Sequence, residues 1–248
     1  MAFFRNTTFD TEPLVIHGQG DDFTKPFFAE VRDAFFATPA KELINSASLR
    51  PELTILTWNS RETPGLLERS LDHLGLPYIV KGRGIADWSN SRDKPRLTVE
   101  ALHEIDTPYV LAVDSFDAFV AGDPLRLIAD FETHFEADLV FNGGKVNWPN
   151  VAEFKRFEEG LPGAQESEFR YLNGGAWIGR LDFCRRFFAE ACATAPVAIH
   201  PESEQGILKQ LLPRHVPRVQ IDYRCRMFQT LGYVFQRNFQ LRSAERSC

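Results

Sequence analysis

The sequence is poor in the features that mark several classes of protein. Its four cysteines, Cys184, Cys192, Cys225 and Cys248, show neither the spacing of a metal site nor that of a dense disulfide framework. No apolar run approaches the roughly 20 residues of a membrane span, and residues 1–12 lack the apolar centre of a signal peptide. We therefore expect a protein of a reducing compartment, cytoplasmic and without a membrane span.

The sequence also lacks an excess of positive charge and any low-complexity segment. A net charge of −6 argues against non-specific binding of nucleic acid. The 15 prolines and 16 glycines are scattered, so no linker divides the chain. With 44% hydrophobic and 25% charged residues, the composition is that of an ordinary globular protein. These features predict a single domain over residues 1–248.

Two carboxylates follow the most apolar short run of the chain. Tyr109 to Val113 predicts a buried strand, which ends on Asp114 and Asp117 with Phe116 between them. Acids at the carboxyl end of an α/β strand lie where such sheets bind ligands. Because paired carboxylates are costly without a compensating positive charge, a hard divalent cation is the commonest candidate. The alternative is a simple turn in which Asp114 caps the next segment.

Strand and helix patterns alternate along the chain. This alternation predicts the α/β class, with a mainly parallel central sheet flanked by helices. Strands are expected at 13–17, 53–58, 78–80, 109–113, 138–141, 219–221 and 234–241, with a strand broken by two glycines at 170–180. Helices are expected at about 25–37, 64–74, 97–105, 124–135, 182–193 and 203–212, and loops at 82–96 and 142–150.

Several segments then carry a resemblance by their order. They are Val-Asp-Ser-Phe-Asp (113–117), Trp148-Pro149, Tyr-Leu-Asn-Gly-Gly-Ala-Trp-Ile-Gly (171–179), Glu204-Gln205 and Asp-Tyr-Arg-Cys-Arg-Met-Phe-Gln (222–229). Together they resemble the glycosyltransferase domain of procollagen lysyl hydroxylases and the related collagen-type glycosyltransferases, over roughly residues 52–240. The resemblance implies a GT-A fold, a UDP-sugar donor, Mn2+ or another divalent cation, and transfer of a hexose to a hydroxyl acceptor on a protein, peptide or glycan.

The resemblance also implies roles for residues around the donor. Asp114 and Asp117 become metal ligands, and Phe116 takes the aromatic position that stacks on uracil, where the family usually has tyrosine. Trp88 and Lys94 lie in the stretch that covers the nucleotide, with Lys94 facing phosphate; the alternatives are a loop anchor and a solvated lysine. Uracil and ribose contacts are expected from Thr57, Trp58 and Asn59.

On the acceptor side the resemblance is looser. The sugar and acceptor are expected between Trp148, the Asn173-Gly174-Gly175 turn and Glu204-Gln205. Trp148, Asn173, Glu204 and Gln205 are the expected catalytic residues, although a core role for Trp148 is nearly as good. The family's acids before the Trp-Pro pair are replaced by Gly143, Gly144 and Lys145, and its aspartates ahead of the glutamine by Glu202-Ser203-Glu204. Acceptor choice could therefore differ from collagen hydroxylysine.

The family's third metal ligand, a histidine in a His-Gly-x-Gly segment at the end of its domain, has its counterpart at the other end of this sequence. Residues 5–20 contain His-Gly-Gln-Gly (17–20), and the tail 235–242 resembles what normally leads into that segment. This order predicts a circular permutant in which His17 binds the metal and Gly18 lets the backbone approach the diphosphate. The alternative is that His17 simply ends an ordinary strand.

Two other functions are weighed against a transferase. A haloacid dehalogenase-type phosphatase also places acids after an apolar strand, but its Asp-x-Asp spacing differs from the three-residue step between Asp114 and Asp117. A nucleotide-sugar-binding protein that has lost transfer would keep the same donor residues. Turnover of a UDP-sugar separates the binding protein from the enzyme.

Overall fold

A six-stranded sheet forms the centre of the computed structural model, which describes residues 4–19, 24–44, 52–234 and 238–241. Strands in that part of the chain are β1 (Phe4–Asn6), β2 (Val15–His17), β3 (Leu53–Trp58), β4 (Ile79–Lys81), β5 (Tyr109–Val113), β6 (Ala118–Val120), β7 (Leu139–Gly144), β8 (Tyr171–Arg180), β9 (Val219–Asp222), β10 (Phe228–Thr230) and β11 (Phe239–Leu241). The helices are α1 (Lys25–Ala37), α2 (Ala40–Leu43), α3 (Leu66–Leu74), α4 (Asn90–Glu104), α5 (Leu125–His134), α6 (Ala152–Glu159), α7 (Leu181–Ala193) and α8 (Glu204–His215).

The central sheet has the strand order β4-β3-β5-β8-β7-β9. Its neighbours pair in parallel except at β8, which runs antiparallel to both β5 and β7. The predicted α/β class and mainly parallel sheet are confirmed. Two smaller sheets, β10-β2-β6 and β1-β11, lie beside it.

Helices cover both faces of the central sheet. In β5, Leu111 and Val113 join the core packed against α1, α3 and α5, whereas Val110 and Ala112 join the core packed against α4, α7 and α8. Successive side chains of a strand point to opposite faces, so a strand buried on both sides is apolar throughout. This explains the apolar run that ends at Asp114.

The structure differs from the predicted elements near the site. Lys94, expected in a loop, lies in α4, and β7 extends to Gly144 through residues expected in a loop. The strand with two glycines is continuous: β8 runs from Tyr171 to Arg180, and β5 pairs with its part from Ala176 to Arg180, beyond the two glycines. The irregularity lies instead in the pairing of β8 with β7, whose register shifts between Phe141 and Asn142.

None of the described helices is both long and apolar enough to cross a lipid bilayer.

Candidate functional site

Three short strands meet where the two carboxylates leave the central sheet. Asp114 follows β5 directly, Asp117 precedes β6, and β6 pairs antiparallel with β2 so that Ala118 lies opposite His17. The Gly18 amide donates to the Asp117 carbonyl over 2.6 Å, which fixes the chain just beyond His17. As a result, one ligand atom each from His17, Asp114 and Asp117 lies within 4.8 Å of the others.

His17 is buried, and one of its ring nitrogens lacks a partner. Within the described part of the chain, Nε2 makes no hydrogen bond. It lies 3.4 Å from Asp117 Oδ1, which is an ion-pair distance without normal hydrogen-bond geometry. The other nitrogen, Nδ1, lies 3.4 Å from Nδ2 of Asn142. A buried imidazole nitrogen without a hydrogen bond, beside two carboxylates, is a donor set that could hold a metal ion.

Neighbouring carboxylates change the protonation of His17. Burial opposes protonation of its ring, but Asp117 and then Asp114 outweigh burial, so the pKa of His17 is raised. Desolvation likewise opposes ionisation of Asp117, yet His17 outweighs it and lowers the pKa of that carboxyl. The imidazolium of His17 and the carboxylate of Asp117 therefore stabilise each other.

Gly175 makes room for this group of side chains. A Cβ at residue 175 would lie 2.3 Å from His17 Cε1 and 2.9 Å from Asp114 Oδ2. The Gly175 carbonyl also accepts the Asp114 amide over 2.8 Å, which holds the first carboxylate against β8. The glycine is thus required by the close approach of two of the three candidate ligands.

Lys94 brings a buried positive charge to the same place. Its Nζ lies 2.8 Å from Asp114 Oδ1, 3.4 Å from Glu204 Oε2 and 4.7 Å from the centre of the Trp58 ring. Burial opposes its charge, but Asp114 and Glu204 raise its pKa. Burial also raises the pKa of Glu204 to about 7, against the opposing effect of Lys94. Glu204 can therefore hold or release a proton near neutral pH.

A cavity of about 500 Å³ opens above these groups. Its volume lies in the range of small-molecule sites. The structure brings together at its wall most of the residues expected to contact donor and acceptor: Trp58, Trp88, Lys94, Asp114, Phe116, Asp117, Trp148, Gly175, Glu204 and Gln205.

Besides His17, which is fully buried, five expected site residues do not line this cavity. Thr57 is buried and donates to the Val113 carbonyl over 2.7 Å, and Asn59 is buried and donates to Thr63. Gly18 is packed against a ring, since a Cβ there would lie 2.5 Å from Phe28. Gly174 donates its amide to Gln205, and Asn173 lines a smaller neighbouring cavity.

Two exposed aromatic rings stand at the rim of the larger cavity. Phe116 is 43% exposed, and the Arg61 guanidinium carbon lies 4.3 Å from its ring centre. Trp148 is 44% exposed and contacts the His200 ring at 4.6 Å, so a core role for Trp148 does not fit. Both rings offer apolar area to a ligand.

Other residues that shape the site were not identified from the sequence. Arg61 covers Phe116, and Asn142 approaches His17 from β7. Glu68 is buried and accepts hydrogen bonds from Ser115 over 2.9 Å and from the Gly65 amide over 3.0 Å, which ties α3 to the loop between the two acids. A glutamate three residues after a helix start was the available signal for Glu68.

Comparison with known proteins decides the family. The model of the PLOD GT domain matches residues 50–195, more than half of the chain. The chain belongs to the PLOD GT domain family. The family match and the mainly parallel six-stranded sheet together indicate a GT-A-like architecture. Membership of a glycosyltransferase domain family also sets aside the phosphatase alternative.

The relatives match at low identity. Procollagen-lysine,2-oxoglutarate 5-dioxygenase 1 from Rattus norvegicus and that from Mus musculus are each 24% identical over 208 residues, which is 75% of this chain and 26% of theirs. The chain thus spans about a quarter of the length of these relatives. A solved structure of A197 from STIV aligns with 68% of this chain and 80% of its own at 13% identity, with a TM-score of 0.38.

Proposed function

We propose that this PLOD GT domain is a metal-dependent glycosyltransferase that moves a hexose from a UDP-sugar to a hydroxyl acceptor. The observation that carries the proposal is Nε2 of buried His17, which has no hydrogen-bond partner among the described residues and lies beside Asp114 and Asp117, two acids that line a 500 Å³ cavity. A purely structural histidine would be expected to have both ring nitrogens paired.

The donor set suits a divalent cation. One imidazole and two carboxylates fit Mn2+, although such ligands select weakly among first-row metals. When bound, the cation would supply Lewis-acid stabilisation of the charge that develops on the diphosphate. Asn142 would hold the His17 ring, with its amide turned so that Oδ1 accepts from Nδ1–H.

The chain's own residues would hold the donor around that centre. Phe116 would stack on uracil. Arg61, which lies over the same ring, would move aside so that the base could contact it. Trp58 and Trp88 would form the walls, and Lys94 would place its positive charge toward the diphosphate. Ribose contacts from Thr57 and Asn59 stay predictions.

On the reacting side, we assign Trp148, Asn173, Glu204 and Gln205 to the sugar and acceptor. Gln205 supports this role because it accepts from the Gly174 amide over 2.9 Å and donates to the Trp148 carbonyl, which joins the two sides of the cavity. The absence of nucleic-acid partners and the cytoplasmic location also stay predictions.

We further propose the circular permutation, with residues 5–20 supplying the family's terminal histidine segment to a single domain. It is supported by the antiparallel pairing of β1 with β11, in which Phe4 lies opposite Leu241. In the family the counterparts of these two stretches would be consecutive. The position of His17 beside the two acids is the second support.

The experiment is a donor screen on the whole chain. UDP-hexoses are incubated with the protein and Mn2+, with and without hydroxyl acceptors, and released UDP is measured. We expect release from at least one donor, loss of release in EDTA, and a decrease of on the order of 100-fold in Asp114→Asn. Asp182→Asn, which changes an exposed acid on α7, is the matched control and should keep the parental rate.

Two results would contradict the proposal in different ways. Undiminished release of UDP in EDTA would show that the transfer does not require a metal. Metal-dependent UDP binding without release from any donor would instead favour the nucleotide-sugar-binding alternative.

A further inference from the structure

The carboxylate of Glu68 joins two loops that line the proposed donor cavity. Glu68 lies in the first turn of α3 and is buried, and it is not among the residues that line the cavity. The first loop, residues 59–63, follows β3 and carries Arg61. The second, residues 114–117, connects β5 to β6 and carries the two acids and Phe116. We call them the 59–63 loop and the acid loop. Both contribute residues to the wall of the cavity.

The acid loop is tied to α3 at Ser115. Ser115 Oγ donates to Glu68 Oε1 over 2.9 Å. The Ser115 carbonyl accepts a hydrogen bond from the Leu67 amide, also over 2.9 Å. Gly65 permits this close approach, because a Cβ at residue 65 would overlap Ser115. Ser115 stands between the first of the two acids and the ring proposed for uracil, so these bonds fix the loop that carries both.

The 59–63 loop is tied to the same carboxylate by two routes. Asn59 Nδ2 donates to Glu68 Oε1 over 2.5 Å, and Asn59 Oδ1 accepts a hydrogen bond from the Arg61 amide over 2.8 Å. Arg83 donates to Glu68 Oε2 and, from its other terminal nitrogen, to the Arg61 carbonyl. The backbone of Arg61 is therefore held on both sides by groups that Glu68 positions.

Capping of α3 accounts for only one of the contacts of Glu68. A glutamate at the third helical position often accepts a hydrogen bond from the amide at the helix start, as Glu68 does from Gly65 over 3.0 Å. The remaining bonds come from Asn59, Ser115 and Arg83, which lie outside the helix. Burial opposes ionisation of Glu68, but these hydrogen bonds and the charge of Arg83 outweigh burial, so the pKa of Glu68 is lowered. Glu68 is thus a charged, fully bonded junction between helix and loops.

The two loops meet at the place proposed for the nucleotide base. The guanidinium carbon of Arg61 lies 4.3 Å from the ring centre of Phe116, so a base that stacks on this ring must enter between the two loops. When the Arg61 side chain moves aside, the backbones of the loops set the width of the space that is left. A fixed width admits a base of one size better than a base of another.

We propose that Glu68 is a positioning residue of the donor site, which holds the 59–63 loop and the acid loop at a fixed separation and thereby selects the nucleotide base. This inference rests on the proposed transferase function. Glu68 acts on the acid loop through Ser115 and on the 59–63 loop through Asn59 and Arg83. Its replacement should loosen the base position while every proposed metal ligand and the ring of Phe116 remain in the chain.

The test compares two nucleotides that share the diphosphate and differ in the size of the base. Binding of UDP and of ADP to the whole chain is measured by calorimetry with Mn2+ present, and the parental protein should prefer UDP. Glu68→Gln keeps the side-chain shape but turns an amide N–H toward Arg83. Arg83→Met and Ser115→Ala keep the carboxylate and each remove one link to a loop.

We expect each of the three variants to bind UDP about tenfold more weakly and to lose at least about fivefold of the ratio of UDP affinity to ADP affinity. ADP should change less, because its affinity depends mainly on the diphosphate. Reduced stability alone would not change the ratio, since unfolded molecules bind neither nucleotide and both affinities would fall by the same factor. Glu158→Gln is the matched control: it changes a buried, ion-paired glutamate that does not line the cavity and should keep the parental ratio.

The outcomes separate this inference from the proposed function. A parental ratio of UDP affinity to ADP affinity in all variants that fold, or the same loss of that ratio in Glu158→Gln, would overturn the positioning role alone and leave the donor site in place. Equal affinities of the parental protein for UDP and ADP would overturn the base selection and this inference with it. Absence of UDP binding by the parental protein would overturn both the donor site and the positioning role.

Discussion

Near the end of β5, buried charged side chains lie close to a ring nitrogen that makes no hydrogen bond. Lys94 and Glu204 are both buried, and Lys94 stabilises the Asp114 carboxylate across 2.8 Å. His17 Nε2 has no hydrogen-bond partner among the described residues. Arrangements of this kind reduce stability unless a ligand completes them, and they cluster at functional sites. A ring nitrogen without a hydrogen bond beside two carboxylates is the physical reason to expect a cation there.

At the scale of one residue, Phe116 gives a test of the donor position. If uracil packs on its ring, Phe116→Ala should weaken UDP binding about tenfold or less, because an aromatic contact contributes about 1 kcal/mol. Phe116→Tyr should keep the affinity. Calorimetry measures both. Tyr233→Ala removes a ring of similar exposure outside the donor cavity and should leave UDP binding unchanged. An unchanged affinity in Phe116→Ala would mean that the ring does not contact the base.

Sequence reasoning found some of these residues and missed others for a physical reason. Asp114, Asp117 and Phe116 are consecutive with an apolar strand, so local pattern was enough to single them out. The contact of Lys94 with Glu204 joins residues 110 positions apart, and no periodicity records it. The cover of Phe116 by Arg61 likewise depends on how two loops fold over one another.

At the scale of elements, the site depends on strands too short to be recognised by pattern. β6 and β10 have three residues each and hold β2 between them, which sets the position of His17. Alternation over three residues cannot be distinguished from a loop. The long strands β3 and β5, by contrast, have the bounds that their apolar runs predicted. Elements with a strong period were predictable, and β2 was expected within residues 13–17, whereas its partners β6 and β10 were not predicted.

Gly175 in β8 gives the element-scale test of the site. Gly175→Ala should push His17 and Asp114 apart, since the added Cβ would lie 2.3 Å and 2.9 Å from their side chains. We expect Mn2+ affinity to fall at least about tenfold and the free energy of unfolding to fall by about 1–3 kcal/mol. Gly144→Ala in β7 is the control, because its nearest contact would be an ordinary 3.6 Å. Equal Mn2+ affinities in the two variants would show that the close packing at Gly175 is not needed by the metal.

A buried ion pair joins α6 to α8. Lys209 Nζ lies 2.8 Å from Glu158 Oε2 and also donates to Asn147 over 2.9 Å. Lys209→Met should lower the free energy of unfolding by about 3–5 kcal/mol, because it leaves a buried carboxylate unpaired. The double variant with Glu158→Leu should recover most of that loss. Urea unfolding of the three proteins measures this, and a double variant no better than the single one would contradict it.

The same pair has a predictable pH dependence. Burial raises the pKa of Glu158 above its unfolded value, and Lys209 opposes that rise. Without Lys209 the folded pKa rises further. A raised carboxyl pKa has no effect on stability below the unfolded value of about 4.3, and it destabilises the fold progressively as pH rises through that value toward the folded pKa. The loss of unfolding free energy in Lys209→Met should therefore be smaller at pH 4 than at pH 7. A loss that is the same at both pH values would contradict this account.

At the scale of the whole molecule, the order of segments along the chain differs from their order in space. β1 pairs with β11, and β2 lies beside β6 although about 100 residues separate them. The order of the segments along the chain could be compared with that of the family from the sequence alone, whereas their pairing in space could not be predicted. The proposed permutation would explain both the segment order and the pairing.

A rearranged chain tests the permutation. Joining residue 248 to residue 1 and reopening the chain between Ile44 and Glu52 would restore the proposed family order. Because Phe4 and Leu241 are already opposite each other, the join should need no new contacts. We expect the rearranged protein to have the parental circular dichroism spectrum and the same unfolding midpoint within a few degrees. A rearranged chain that fails to fold would contradict the proposed permutation.

The central claim is that His17, Asp114 and Asp117 form a metal site for a nucleotide diphosphate, and calorimetric titration of UDP tests it most directly. The whole chain is titrated once with Mn2+ present and once in EDTA. UDP should bind at least about tenfold more tightly with Mn2+, and His17→Ala should lose that difference. His103→Ala, an exposed histidine on α4, should keep it. Equal UDP affinity of the parental protein in Mn2+ and in EDTA would contradict the account.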